Sequence, residues 1–205
     1  MHQSRQFADW KLPIERKGNK YVVRASSHVN DSVPVLIAIR DMLKIARDAR
    51  EVKEMIKAKS LKVNGKIVLD YHQSIKLFNI LEADKKYELS LLPTKRFFFK
   101  EHKGNDRLCK VISRKLLSGN KIQLNLHDGT NVISKDKIVV GDSIYVDSST
   151  KITKHIALEK GKTVFIFLGK YAGLEGKIES IEEKKVNVKL KEKTVELSNR
   201  EVVAI

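Results

Sequence analysis

The sequence predicts an α+β chain of several small modules: a helix–hairpin domain, then a central β-barrel-like domain, then a compact C-terminal β barrel. Three observations carry this expectation. Two segments with apolar residues at helical spacing precede Asn64-Gly65, a pair suited to a tight hairpin turn. From Tyr87 onward, short β-like runs recur about every ten residues with polar turns between them. After Lys160, Gly161, Gly169, Gly173 and Gly176 crowd together, marking a change of architecture. The expected boundaries are an N-terminal extension over 1–33, the helix–hairpin domain over 34–94, the central β domain over 95–160 and the last barrel over 161–205.

In the extension, residues 1–5 lead into Phe7, Asp9 and Trp10 without the apolar core of a secretory signal, so the expected compartment is the cytosol. Pro34 opens the first helix, expected over residues 35–46, because its missing N–H is no loss in a first turn. Val35, Ala38, Ile39, Met42 and Ala46 recur on one face, while Arg40, Lys44 and Arg47 share an arc of roughly 60° on another. Asp48 is placed to cap a second helix from 49 to about 59. There Val52, Met55 and Ile56 turn inward, and Arg50, Lys53 and Lys57 occupy a similar arc opposite them. Leu61 and Val63 alternate with Lys62 before Asn64-Gly65, and Lys66 and Ile67 continue the hairpin.

The β-like runs are 87–92, 97–99, 108–112, 122–126, 132–134 and 144–146, with turns at Ser118-Gly119-Asn120, Asp128-Gly129 and Gly141-Asp142. The tail supplies four more: 163–168, 177–181, 186–190 and 194–197.

Composition restricts the function. The 205 residues, 41% of them hydrophobic, suffice for two or three small cores. Lys and Arg number 41 against 25 acids, a net charge of +16 that points to a polyanionic partner rather than a small neutral substrate. The longest nearly apolar run, residues 33–39, includes Pro34 and falls far short of the roughly 20 residues that cross a bilayer. The excess is general but peaks over 95–160, at +7, mostly within 95–121, where nine basic residues meet only Glu101 and Asp106. Backbone phosphates bind such a strip through counterion release. From it come the candidate contacts Lys95, Arg96, Lys100, Lys110, Arg114, Lys115 and Lys121.

No catalytic constellation emerges. His127-Asp128-Gly129 between alternating runs has the form of a hairpin turn. The six histidines are scattered, and the single cysteine, Cys109, lies in an apolar alternation. It excludes an internal disulfide and a cysteine-pair zinc site. Gly176-Lys177 lacks the preceding glycine and following Ser or Thr of a phosphate loop, leaving a glycine-rich turn with Lys170, Tyr171 and Lys177 beside it. The expectation is therefore no enzyme, no metal and no cofactor. Phe97, Phe98 and Phe99, between cations, are candidates for base stacking, although strand alternation sends at least one into a core.

Residues 44–67 resemble the small RNA-binding fold shared by bacterial ribosomal protein four, some pseudouridine synthases and tyrosyl-tRNA synthetase, on the strength of Arg50, Lys53 and Leu61-Lys62-Val63-Asn64-Gly65-Lys66. The segment Gly169-Lys170-Tyr171-Ala172-Gly173-Leu174-Glu175-Gly176-Lys177-Ile178 resembles the KOW motif, which implies an SH3-like barrel. Their order, with Val33-Pro34-Val35-Leu36, Arg40-Asp41 and Lys121-Ile122-Gln123-Leu124-Asn125-Leu126-His127-Asp128-Gly129 between, resembles the archaeal and eukaryotic type of small-subunit ribosomal protein four. Family members usually carry a longer lysine-rich leader than the nine residues before Trp10, and a more aliphatic segment at Phe97-Phe98-Phe99.

The resemblance implies a non-catalytic protein of the cytoplasmic ribosome, with small-subunit ribosomal RNA and neighbouring ribosomal proteins as partners and no membrane or small-molecule substrate. Arg40, Lys44, Arg47, Arg50, Lys53 and Lys57 are then expected on RNA phosphates, with Lys62, Asn64 and Lys66 extending that surface and Lys170 and Lys177 serving the tail. Two rivals remain: an RNA-modifying enzyme, which needs a catalytic domain larger than either β module, and a transiently bound transcription or translation factor.

Overall fold

The structure is a computed structural model describing residues 1–119, 121–182, 185–190 and 193–205. It is mostly β with few helices. Asn120 of the Ser118-Gly119-Asn120 turn lies outside the described residues. The chain divides into two compact units, Met1–Leu91 with Lys95–Gly104, and Leu92–Thr94 with Asn105–Ile205.

The first unit begins with an antiparallel pair, β1 (His2–Ser4) and β2 (Tyr21–Val23). β3 (Ser32–Pro34) leads into α1 (Val35–Ile37), whose first N–H groups find carbonyls in a distant loop: Val35 donates to Gln73 (3.0 Å) and Leu36 to Tyr71 (3.1 Å). Those bonds replace a side-chain cap and fix the most buried stretch of the unit, Val33, Val35, Leu36, Ile37 and Ile39. The helix expected over 35–46 is then interrupted. Residues Ala38–Met42 form a wide π turn, Leu43 bonds back to Ala38, and Lys44 takes a left-handed conformation at φ 56°. Val35, Ala38, Ile39 and Ala46 are buried as their spacing requires, but Ala46 arrives after the chain has turned. Arg40, Lys44 and Arg47 consequently form no common helical stripe.

α2 (Ala49–Lys57), β4 (Lys62–Val63), β5 (Lys66–Ile67), β6 (Ser74–Lys76), β7 (Ile80–Glu82), β8 (Lys86–Leu91) and β9 (Phe97–Glu101) complete this unit. β3 pairs with β6, and the main sheet runs β5-β4-β7-β8-β9. β9 pairs with β8, Leu89 opposite Phe99, so the boundary expected at residue 95 falls inside a hairpin of the first unit. Burial of Phe97 holds it there.

The second unit contains two five-stranded antiparallel sheets. β10 (Arg107–Leu117), β11 (Lys121–Leu126), β12 (Asn131–Ser134), β13 (Ser143–Val146) and β14 (Ile152–Ile156) stand in the order β12-β11-β10-β13-β14. Their core is Cys109, Val111, Leu124, Leu126, Val132, Ile138, Ile144 and Val146. β10 bends at a bulge: its first half pairs with β13, its second with β11, and Ile112 is left without a ladder partner between Val111 and Ser113. β15 (Thr163–Ile166), β16 (Glu175–Ile181), β17 (Lys185–Lys189), β18 (Thr194–Ser198) and β19 (Val202–Ala204) follow in the order β18-β17-β16-β15-β19. Ile156 of β14 joins the core of this sheet, and the Ser143 hydroxyl accepts from the Ala204 N–H at 2.9 Å. Gly176 lies on β16 rather than in the turn, where a Cβ would stand 2.5 Å from Val188 Cγ1.

Candidate nucleic-acid interface

α2 is the most regular cationic surface of the first unit. The Asp48 carboxylate accepts from the backbone N–H groups of Arg50 (2.7 Å) and Glu51 (3.0 Å), bonds that hold its pKa below the ordinary range. Val52 is fully buried, while Arg50, Lys53 and Lys57 are exposed on the other side. The Lys53 ammonium lies 5.1 Å from the Tyr71 ring centroid, and Lys57 occupies the helix C-terminus, where a cation meets the negative end of the dipole.

The hairpin after α2 forms through Asn64 (φ 54°) and Gly65 (φ 78°). The Asn64 side-chain oxygen accepts from the Ile80 N–H at 3.0 Å and so helps bind the turn to β7. Lys62 and Lys66 are both exposed, yet Lys66 pairs with Val63, the neighbour of Lys62, so the two belong to opposite faces. Lys44 and Arg47 are exposed beyond the first helix. Arg40 is half-buried and forked onto Asp41 by two 2.8 Å hydrogen bonds, which raise its pKa further.

The expected strip over 95–121 is divided between the units. Lys95, Arg96 and Lys100 belong to the first, with Lys95 6.0 Å from the Trp10 ring centroid and Lys100 3.4 Å from the Glu88 carboxylate. Phe97, only 5% exposed, is a core residue, and Phe98 and Phe99 are half-buried. Arg114, Lys115 and Lys121 are exposed in the second unit. On the outward side of that hairpin, Gln123 donates to Asn125 (2.9 Å) and Asn125 to Ser113 (2.8 Å).

Lys110 is the clear correction to the surface set. It is 4% exposed, and its ammonium donates to the backbone carbonyls of Asn199 and Val202, with the Asn199 side-chain oxygen at 3.4 Å. Burial lowers its pKa to about 8, against a smaller opposing pull from Asp142. Arg107, 3% exposed, is likewise internal, bonding to Asp128 (3.1 Å) and Thr130 (3.2 Å). Burial pushes the Asp128 carboxyl up, but hydrogen bonds from Thr130 and the charge of Arg107 bring it below the ordinary range. The His127-Asp128-Gly129 turn is thus anchored from inside by an ion pair that local pattern does not announce. Burial, with Asp128 nearby, pushes the Cys109 thiol up to about 12, the opposite of what a nucleophile needs.

In the tail, Tyr171 packs against the core with the ammonium groups of Lys193 (4.7 Å) and Lys170 (5.9 Å) near its ring. Lys177 is exposed on β16. Among the described residues, no three His, Cys, Asp or Glu side chains group as a metal shell requires, and no helix is long and apolar enough to cross a membrane.

Two β sheets that follow a cationic helix and hairpin along the chain, the last carrying a glycine turn at Gly169 and Gly173 just before β16, put the molecule among KOW-motif proteins, and the KOW family model matches residues 160–191. The family model described as Ribosomal family S4e matches residues 83–153. Small ribosomal subunit protein eS4 of Archaeoglobus fulgidus is 33% identical over 187 residues, covering 88% of this chain and 80% of its own length. The eS4 protein of Methanocaldococcus jannaschii is 32% identical over 190 residues, covering 84% and 77%. The crystal structure of the 30S ribosomal protein S4e from Thermoplasma acidophilum aligns with a TM-score of 0.72 at 28% identity, over 85% of this chain and 95% of that one. The chain belongs to the ribosomal S4e family.

Proposed function

We propose that this protein is a structural constituent of the small ribosomal subunit that binds ribosomal RNA in the cytoplasm, beside neighbouring ribosomal proteins, and catalyses no reaction. The observation that carries the proposal is the similarity to small-subunit eS4 proteins over about four-fifths of their length. The net charge of +16 supports it, since a permanent place among phosphates neutralises such an excess.

In this reading α2 and its hairpin form the helix–hairpin RNA-binding module, and the two sheets of the second unit form a barrel-like central module and an SH3-like KOW barrel. Arg50, Lys53 and Lys57, with Lys44 and Arg47, contact phosphates. Arg40 contributes from its fork on Asp41, and Lys62, Asn64 and Lys66 contribute from the hairpin. Lys95, Arg96, Lys100, Arg114, Lys115, Lys121, Lys170 and Lys177 complete the set. Arginine forks onto phosphate or stacks on a base, whereas lysine acts as a point charge. Linked modules gain avidity because each raises the local concentration of the next.

The test is fractionation. The protein should stay near-stoichiometric with small ribosomal subunits through a high-salt wash. Recovery chiefly away from those particles overturns the reading and favours a transient factor. Reversing the charges of Arg50 and Lys53 should weaken binding to small-subunit RNA and reduce its salt slope by roughly 0.7 to 0.9 for every phosphate that is no longer neutralised.

A further inference from the structure

The N-terminal segment of the first unit contains a cleft of about 660 Å³, inside the roughly 300–1,000 Å³ range of small-ligand sites. Trp10 forms part of its wall and is 53% exposed. Buried Leu12 and half-buried Ile14 supply apolar surface, and the exposed guanidinium groups of Arg16 and Arg96 stand on its lining. Arg5, also on the lining, ties the following loop in place: its side chain donates to the carbonyls of Asn19 (2.8 Å) and Glu15, and its N–H donates to the Lys20 carbonyl (2.9 Å). The shape is therefore fixed before anything enters it, which removes part of the ordering cost of binding.

The charges select the occupant. The Asp9 carboxylate is largely withdrawn, accepting from the Lys11 N–H at 3.0 Å with the Lys11 ammonium at 3.9 Å. Glu15 is exposed at the rim, where it can accept from exocyclic amines or a ribose hydroxyl. Arg5, Arg16 and Arg96 leave the cleft cationic, and Lys95 stands by the indole. An aromatic plane among cations fits a flat base joined to a phosphate. A bare anion has no use for the indole, and a duplex has no free base face to offer. Phe7 and Tyr21 are also exposed in this segment, whereas Phe78, Phe97 and Phe165 are buried. Exposed aromatic surface lies here rather than on Phe97, which is buried although its N–H donates to the Lys11 carbonyl beside Trp10 at 2.9 Å.

We infer that this cleft receives one unstacked nucleotide of single-stranded RNA, the base lying on Trp10 and the flanking phosphates meeting Arg16 and Arg96. The inference rests on the RNA-binding reading above and adds a site to it. Trp10 is the sole tryptophan of the chain, so its emission reports the cleft alone.

The experiment titrates the full-length protein with a single-stranded hexaribonucleotide, an RNA duplex of equal phosphate number, adenosine monophosphate and inorganic pyrophosphate. It also measures retention of small-subunit RNA on a filter. The single strand should quench Trp10 saturably and more strongly than the other three. By fluorescence anisotropy of a labelled hexamer, Trp10→Leu should lose affinity roughly tenfold, while Trp10→Phe keeps most of it. Both variants should melt at the temperature of the parent protein, because the indole is half outside any core. Equal quenching by duplex or pyrophosphate, or equally tight binding of the mononucleotide, overturns the proposal. An unresponsive Trp10 with small-subunit RNA still retained overturns the cleft alone, whereas loss of both overturns the RNA-binding reading with it.

Discussion

The two halves of β10 share a strand and a composition but not a fate. Residues 107–111 are buried throughout, and residues 112–117 are exposed or half-buried. In the first half, Arg107 finds the Asp128 carboxylate and Lys110 finds the backbone carbonyls of Asn199, in the turn after β18, and of Val202, on β19. In the second, Arg114 and Lys115 stand opposite the hairpin residues Leu124 and Gln123. The difference is made by what packs on the faces of the strand: the Asp128 turn and residues 199–202 cover the first half, while the second projects with β11. A cation count therefore overstates the surface available to a polyanion. Removing a buried, bonded charge is far more damaging than removing an exposed one, because it strands its partners without water.

The change that breaks this comparison hardest is Lys110→Glu. It would press a carboxylate against the Asn199 and Val202 carbonyls, and it should destabilise the second unit by about 3–5 kcal/mol in chemical denaturation. Next in size is a pH effect. The Lys110 ammonium has a pKa of about 8 when folded against 10.5 ordinarily, so between those values the unfolded chain binds the proton that the folded one has released. The penalty of burying the charge is full below pH 8 and disappears as pH climbs toward 10.5. Stability owed to this residue should thus rise by about 3 kcal/mol across that window. Lys110→Met should abolish the rise, and unfolding curves of parent and variant at both ends measure it. Smallest in stability is the pair Arg114→Glu and Lys115→Glu, expected within about 0.5 kcal/mol of the parent. In RNA binding the same pair should flatten the salt slope by roughly 0.7–0.9 for each phosphate set free, measured by titration at several salt concentrations.

Legibility in the sequence followed the range of the forces involved. The cationic side of α2 could be read because a capped nine-residue helix fixes its faces through neighbours three and four residues apart, and Val52 alone anchors the inward side. Residues 122–126 and 186–190 announced themselves as strands by alternating across half-buried sheets. β1, β3, β6 and β7 span three residues each, too few for a period to show. β14 presents Thr153, Lys154 and His155 to solvent and carries no apolar alternation. The first helix misled because its apolar residues are buried at helical spacing even though the chain widens and reverses at Lys44. Lys110 was invisible as an internal residue because its partners lie 89 and 92 positions away. Phe97-Phe98-Phe99 drew attention as a local run, while the exposed Trp10, beside Lys11 and remote from Arg96 in sequence, gave little sign of a shared cleft.

The bulged Ile112 has a consequence for the whole projecting hairpin. Were β10 to continue in unbroken alternation past Val111, Ser113 and Lys115 would swing onto the side of Leu124 and Val132, and Arg114 and Leu116 would leave it. One supernumerary residue sets the parity of everything downstream, deciding that the Ser113, Asn125 and Gln123 ladder faces outward with Lys115 in the same row.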